Sequence, residues 1–152
     1  MPKTQKCWFV VADAARAVAY KRRQDRPGYD EVARWESPTA AKPARELVTD
    51  RPGRAFDSRG GQRHAMEPPT DPKLLAKQAF AAELAEALNE AHGAKQFENL
   101  VLFAPARIAG DIRKRLANGT ADALLRCVDK DLTKAPTLDL FKAFDDIFAP
   151  PP

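Results

Sequence analysis

The sequence is poor in cysteine and histidine, and it has no long apolar run. Its 152 residues include two cysteines and two histidines, and His64 lies far from His92. We therefore expect no structural zinc site. Cys7 and Cys127 both lie in apolar runs, which predicts reduced thiols in the core but leaves a disulfide between them open. No stretch approaches the ~18 apolar residues of a membrane span, and residues 1–6 lack the apolar stretch of a secretory signal. We expect a cytoplasmic protein that does not bind a membrane.

Several catalytic motifs are also missing. The chain has no phosphate-binding loop, GxGxxG, GxSxG or HExxH, so the standard catalytic and cofactor-binding motifs of this kind are absent from it. A ribonuclease-H-like nuclease would place a metal carboxylate where Asp13 follows the first strand, and its partners would be Asp111, Asp129 or Asp131. Their spacing shows no convergence on two metals, so we expect Asp13 to stabilise a turn. No metal or organic cofactor is predicted.

The net charge of +4 is unevenly distributed. Residues 1–28 carry +5 and residues 51–64 carry +3, whereas residues 73–152 are neutral. A local basic excess is compatible with an RNA or phosphate partner, but from charge alone a surface that keeps the protein in solution is the favoured interpretation.

Hydrophobic patterning predicts an α/β fold in a single domain over residues 1–149, followed by a disordered tail at 150–152. A meander of three strands precedes βαβα units, which favours a mixed sheet with helices on its faces. The predicted elements are strands at 7–12, 17–21 and 31–35, a helix at 72–92, a strand at 99–104, a helix at 106–117, a strand at 123–128 and a helix at 138–148.

Several details of packing follow from the same patterns. We expect Val32 to point inward from the third strand and Gly93 to cap the long helix. On the last helix, the spacing of the apolar residues predicts a packed side made of Leu138, Phe141, Phe144 and Phe148.

Residues 38–71 form a long basic loop without periodic patterning. Five prolines and three glycines fall here, and a loop of this length in one domain is usually functional or disordered. It contains Gly60-Gly61-Gln62. Glycine pairs allow the backbone to approach a ligand closely, although they also occur in ordinary flexible loops.

The order of a meander, a basic GGQ loop, a long helix and βα units resembles the catalytic middle domain of archaeal and eukaryotic class-1 peptide-chain release factors. Nearly the whole chain also resembles the bacterial host attachment proteins. The residues that carry this second resemblance are 11–17 (VADAARA), 50–58 (DRPGRAFDS), 60–66 (GGQRHAM), 100–105 and 130–133.

The release-factor resemblance implies hydrolysis of ribosome-bound peptidyl-tRNA, as in ribosome rescue, with the ribosome and tRNA as partners. It implies catalytic roles for Gly60, Gly61 and Gln62. It implies that RNA is bound by basic residues of the same loop, namely Arg51, Arg54, Arg59, Arg63 and His64. Release factors read codons with a separate domain, so we expect no stop-codon recognition by this chain alone.

Two other functions remain open at this point. The chain could be an RNA- or ribosome-binding module without catalysis, or a protein-interaction domain that influences host attachment indirectly. Salt dependence of RNA binding would separate these two. The sequence does not determine the oligomeric state.

Overall fold

The core of the molecule is a β-sheet whose central strands are apolar and buried on both faces. The computed structural model describes residues 6–37 and 71–149. Within them the strands are β1 (Cys7–Ala12), β2 (Arg16–Arg22), β3 (Tyr29–Glu36), β4 (Asn99–Phe103) and β5 (Leu124–Val128). Every residue of β1 is buried, as expected for a strand with neighbours on both sides and helices above and below.

The five strands form one mixed sheet in the order β3-β2-β1-β4-β5. β1, β2 and β3 form the antiparallel meander, in which Phe9 lies opposite Tyr20. β4 runs parallel to β1 and to β5. The α/β fold class and the mixed sheet predicted from the sequence are therefore confirmed.

Four helices cover the sheet in the described part of the chain: α1 (Pro72–Gly93), α2 (Ala106–Arg113), α3 (Asn118–Ala123) and α4 (Thr137–Ile147). α1 begins where the sequence predicts. The Asp71 carboxylate accepts a hydrogen bond from the Lys73 backbone N–H at 3.0 Å, and Pro72 occupies the first turn, where its missing N–H costs nothing.

The side chains of β1 divide between two clusters because successive residues of a strand point to opposite faces. Trp8 and Val10 pack on one face with Leu84 and Leu88 of α1 and Ile112 of α2.

The opposite face of the sheet is covered by α4 and is rich in aromatic residues. Phe9 stacks on Phe144 with their ring centroids 4.9 Å apart, and Tyr29 meets Phe144 edge-on at 5.0 Å. The Tyr29 hydroxyl donates to the Asp145 carboxylate at 2.6 Å, so the polar end of this ring is satisfied.

Three packing predictions are wrong. Val32 is 42% exposed because β3 is an edge strand, and Leu138 is 81% exposed. Leu138 precedes the buried Leu140 by two residues, which is about 200° around a helix, so it points away from the sheet. Cys127 is exposed rather than in the core, since β5 is the other edge strand. Cys7 is buried as predicted, and both thiols are free of a disulfide.

The predicted helix at 106–117 also differs from the structure. α2 ends at Arg113, and the short α3 takes up Ala123, which the sequence assigned to a strand. The Asn89 side chain holds the connection between them: its Nδ2 donates to the Arg115 carbonyl at 3.2 Å, and its Oδ1 accepts from the Ala117 N–H at 2.8 Å. These bonds come from a distant helix, so local periodicity could not reveal them.

The end of α1 is a further correction. Gly93 is the last helical residue rather than the cap, and Ala94 is the cap. The left-handed conformation after the helix is taken by Lys95, with φ of 63°.

Candidate functional site

Three loops meet at the carboxyl ends of the parallel strands. Asp13 follows β1, Pro105 follows β4 and Asp131 lies in the loop after β5. The chain turns from β1 to β2 on one side, and from β4 towards β5 on the other. In open α/β sheets such a reversal leaves a crevice outside the strand ends, and ligands bind there.

Asp13 organises the turn between β1 and β2. Its Oδ1 accepts from the N–H groups of Ala15 at 2.7 Å and Arg16 at 2.8 Å. The Arg16 Nε lies 3.9 Å from the other carboxylate oxygen. An aspartate that binds backbone donors two and three residues ahead is typical of a turn. The predicted turn role of Asp13 is confirmed.

Thr133 joins this turn to the loop after β5. Its Oγ1 lies 3.0 Å from Asp13 Oδ2 and 2.6 Å from Asp131 Oδ1. The Thr133 backbone N–H also donates to Asp131 Oδ1, at 3.0 Å. A hydroxyl carries one proton, so it donates to one of these carboxylates at a time. The Asp13–Thr133–Asp131 link fixes two loops that are 120 residues apart in sequence.

A hollow of about 320 Å³ lies beside this link, and we call it the carboxyl-end hollow. Its charged lining combines three cations with two carboxylates: Arg16, Lys73, Lys77, Asp13 and Asp131. The remaining wall is formed by Ala14, Ala15, Pro105 and Ile108. Lys73 and Lys77 lie one turn apart on α1, and side chains at this spacing share one face of a helix.

The described residues on either side of the segment 38–70 lie near the same ends of the strands. Ser37 precedes the segment, and its N–H donates to the Ala15 carbonyl at 2.8 Å. Asp71 follows the segment and caps the helix whose Lys73 lines the carboxyl-end hollow together with Ala15. The described residues on both sides of the segment therefore lie at the carboxyl ends of the parallel strands.

All of the site residues named from the sequence lie outside the described residues. These are the catalytic candidates Gly60, Gly61 and Gln62 and the RNA-binding candidates Arg51, Arg54, Arg59, Arg63 and His64. Their roles stay predictions.

The aspartates considered for a metal nuclease do not form a metal site. No group of three or more His, Cys, Asp and Glu side chains within 6–37 and 71–149 could hold a metal ion. Asp13 and Asp131 are engaged with Thr133, and Asp129 accepts from the Ala106 N–H at 3.0 Å, at the start of α2.

Neither cysteine thiol is a strong nucleophile. Burial raises the pKa of the Cys7 thiol to about 12. Partial desolvation of the exposed Cys127 also raises the pKa of its thiol, with Arg113 opposing the shift and Asp129 adding to it. Since the thiolate is the reactive form, both groups react less readily than an ordinary thiol at neutral pH.

A second hollow of about 430 Å³ lies between α2 and α3. We call it the α2–α3 hollow; Arg113, Lys114, Leu116 and Leu124 are among its lining residues. It is larger, but Leu124 begins β5, so this hollow lies towards the amino end of that strand. Ligands of α/β sheets usually bind at the opposite end, and we therefore take the carboxyl-end hollow as the candidate site.

Sequence reasoning found part of this site. Asp13 is recognisable from its position after β1, and Arg16 and Thr133 belong to the stretches that carry the family resemblance. Lys73 and Lys77 were missed. Two lysines four residues apart, directly after a helix cap, are a visible pattern, but nothing in the sequence shows which loops they face.

A family model described as "Protein required for attachment to host cells" matches residues 8–143, and the chain belongs to this family. No curated protein matches the chain. No helix in the described part of the chain has the length and apolar character needed to cross a membrane.

Proposed function

We propose that this member of the family of proteins required for attachment to host cells hydrolyses ribosome-bound peptidyl-tRNA through Gly60, Gly61 and Gln62. The family description names a property of whole cells, not a reaction, so the chemistry rests on the residues. The ribosome and its tRNA are the proposed partners.

The observation that carries the proposal is where the segment containing Gly60-Gly61-Gln62 adjoins the described fold. Ser37 binds Ala15 of the β1–β2 turn, and Asp71 caps the helix whose Lys73 lines the carboxyl-end hollow together with Ala15. Cationic side chains line this hollow. A polyanionic partner that approached it would therefore meet Arg16, Lys73 and Lys77.

The proposed reaction is attack of water on the ester carbonyl of peptidyl-tRNA. The bond between the carbonyl carbon and the tRNA ribose oxygen breaks, so the peptide leaves with a carboxyl group and the tRNA with a hydroxyl. Gly60 and Gly61 lack side chains that would keep the backbone away from the tRNA end. The Gln62 N–H would stabilise the developing oxyanion, and its side chain would orient the water. Arg51, Arg54, Arg59, Arg63 and His64 would contact the RNA backbone.

The test is release of labelled peptide from purified bacterial ribosomes that carry peptidyl-tRNA. We expect Gln62→Ala to lower the release rate by about 10²-fold, because a misplaced water costs roughly this much. Ribosome binding should be retained. Gln78→Ala, an exposed glutamine on α1, is the matched control and should release peptide at the wild-type rate.

A second function is favoured by the same cationic hollow, namely binding of ribosomal RNA without catalysis. Ribosome binding with no peptide release by the wild-type protein would establish that function and refute hydrolysis. Neither binding nor release would refute both, and it would direct attention to a protein partner.

A further inference from the structure

We infer that the carboxyl-end hollow is a binding site for a ribose phosphate, either a free nucleotide or one unit of an RNA chain. The RNA form rests on the proposed function, and the free-nucleotide form does not. None of the residues that carry this inference belongs to the segment that contains Gly60-Gly61-Gln62.

The first argument is topology. β1 and β4 are adjacent and parallel, and the chain leaves their carboxyl ends in opposite directions. The hollow is lined by residues that follow both strands, Asp13 to Arg16 after β1 and Pro105 and Ile108 after β4. It therefore occupies the point in an α/β sheet where nucleotides and other ligands are usually bound. Its volume of about 320 Å³ lies at the small end of ligand pockets, which suits one nucleotide unit.

The second argument concerns the partners that the charged side chains of the hollow already have. Asp13 directs Oδ1 at two backbone N–H groups and Oδ2 at the Thr133 hydroxyl. Asp131 directs Oδ1 at the backbone and hydroxyl of Thr133. These hydrogen bonds engage the carboxylate oxygens within the loops, and Asp13 Oδ2 also lies 3.9 Å from the Arg16 Nε. The lining of the hollow still carries one more cation than carboxylate. Arg16, Lys73 and Lys77 line the hollow beside them, and guanidinium and ammonium groups are the usual ligands of phosphate.

The third argument concerns the part of the ligand next to the phosphate. Asp131 is exposed and accepts hydrogen bonds only through Oδ1 among the bonds found in the described residues. A carboxylate accepts but does not donate, so it suits a ligand that brings hydroxyl donors. A ribose has such hydroxyls close to its phosphate. The pairing of cations with an acidic acceptor therefore fits a ribose phosphate better than a bare inorganic anion.

The test is direct binding to the full chain, measured by calorimetry and by NMR shifts of backbone amides. The probes are adenosine monophosphate, adenosine, inorganic phosphate and a short single-stranded oligoadenylate. We expect adenosine monophosphate to bind and to shift the amides of residues 13–16 and 131–133. Adenosine should bind at least about tenfold more weakly, because it lacks the group that the cations hold. Inorganic phosphate should bind more weakly than adenosine monophosphate.

Two matched variants locate the site. Lys77→Ala removes a cation of the carboxyl-end hollow and should weaken binding of adenosine monophosphate about tenfold. Lys114→Ala removes a cation of the α2–α3 hollow and should leave the affinity unchanged. With oligoadenylate, Lys77→Ala should also lower the slope of log affinity against log salt by about 1 if an RNA phosphate occupies the site.

The outcomes distinguish a free nucleotide from an RNA unit as the ligand, and they test this site separately from the proposed hydrolysis. Tighter binding of oligoadenylate with a Lys77-dependent salt slope supports the RNA form, and binding of the mononucleotide alone supports the free form. Equal affinities for inorganic phosphate and adenosine monophosphate, or equal losses in Lys77→Ala and Lys114→Ala, would overturn the inference. Nucleotide binding without peptide release would leave this site in place while refuting the proposed hydrolysis, and the reverse result would refute only this site.

Discussion

The carboxyl-end hollow and the α2–α3 hollow are lined by similar kinds of residue, but they lie in different surroundings. Each has basic residues in its lining, and each adjoins a connection that side-chain hydrogen bonds hold in place. At the carboxyl-end hollow, Thr133 joins Asp13 and Asp131. At the α2–α3 hollow, Asn89 binds the backbone on either side of Leu116. Neither size nor positive charge distinguishes a functional site here, because the larger hollow also has two cations.

The difference lies in topology and in the acceptors. The carboxyl-end hollow lies where parallel strands end and includes two carboxylates in its lining. The residues that line the α2–α3 hollow include no carboxylate, and it lies at the start of β5. The first has the side chains that the proposed ligand, with its anionic end and hydroxyl donors, requires, whereas the side chains in the lining of the second are cationic or apolar. Three experiments test this contrast further: substitution of Asp13, substitution of Asn89 and labelling of the two thiols.

The largest effect is expected for Asp13→Ala. This change leaves the Ala15 and Arg16 N–H groups without their acceptor and separates Thr133 from the β1–β2 turn. Because hydrogen bonds to a charged group are involved, we expect a loss of about 2–3 kcal/mol in the free energy of unfolding. Urea denaturation measures it. Asp122→Ala, at an exposed position on α3, should change stability little; an equal loss in both variants would contradict the assigned role of Asp13.

A smaller effect is expected for Asn89→Ala at the other hollow. It removes two hydrogen bonds from a partly exposed site, so we expect a loss of about 1 kcal/mol in urea denaturation. Asn89→Asp keeps the acceptor for the Ala117 N–H and should retain part of the stability. Affinity for adenosine monophosphate should stay at the wild-type value in both variants. A loss of nucleotide affinity here would show that the two hollows are not independent.

The smallest effect concerns thiol labelling, which does not alter stability. Cys127 is exposed and Cys7 is buried, so a thiol reagent should label one cysteine in the folded chain and both after denaturation. Partial desolvation of its thiol raises the pKa of Cys127, so labelling should be slower than for a free thiol at pH 8 and should accelerate as the pH rises. Cys127→Ser should abolish labelling of the folded protein. Fast labelling of Cys7 would contradict the packing of β1.

Much of the fold could be predicted from local patterns. The continuous apolar run of β1 and the capping pair Asp71 and Pro72 each specify their element with few alternatives. The exposure of side chains on the two outer strands could not be predicted in the same way. Val32 and Cys127 are apolar enough for the core, but β3 and β5 are the outer strands of the sheet, and strand order is a property of the whole chain.

The candidate site likewise combines residues that local sequence patterns reveal with residues that they do not. Asp13 is recognisable because an aspartate after a strand binds the backbone directly ahead of it, which is a local interaction. No local interaction identifies Lys77, because its role depends on which loops pack beside the first turns of α1. The roles of Gly60, Gly61 and Gln62 came from resemblance, and they remain to be tested by peptide release.

The sequence by itself determined the α/β class, the meander, the start of α1 and the turn at Asp13, because each depends on interactions between residues close together in the chain. Only the tertiary structure decided that Thr133 would bind Asp13 and that Arg16, Lys73 and Lys77 would line one hollow. The parallel pairing of β1 with β4 brings these distant residues to one edge of the sheet. Hydrophobic burial on both faces favours that pairing, and the polar side chains meet there as a consequence.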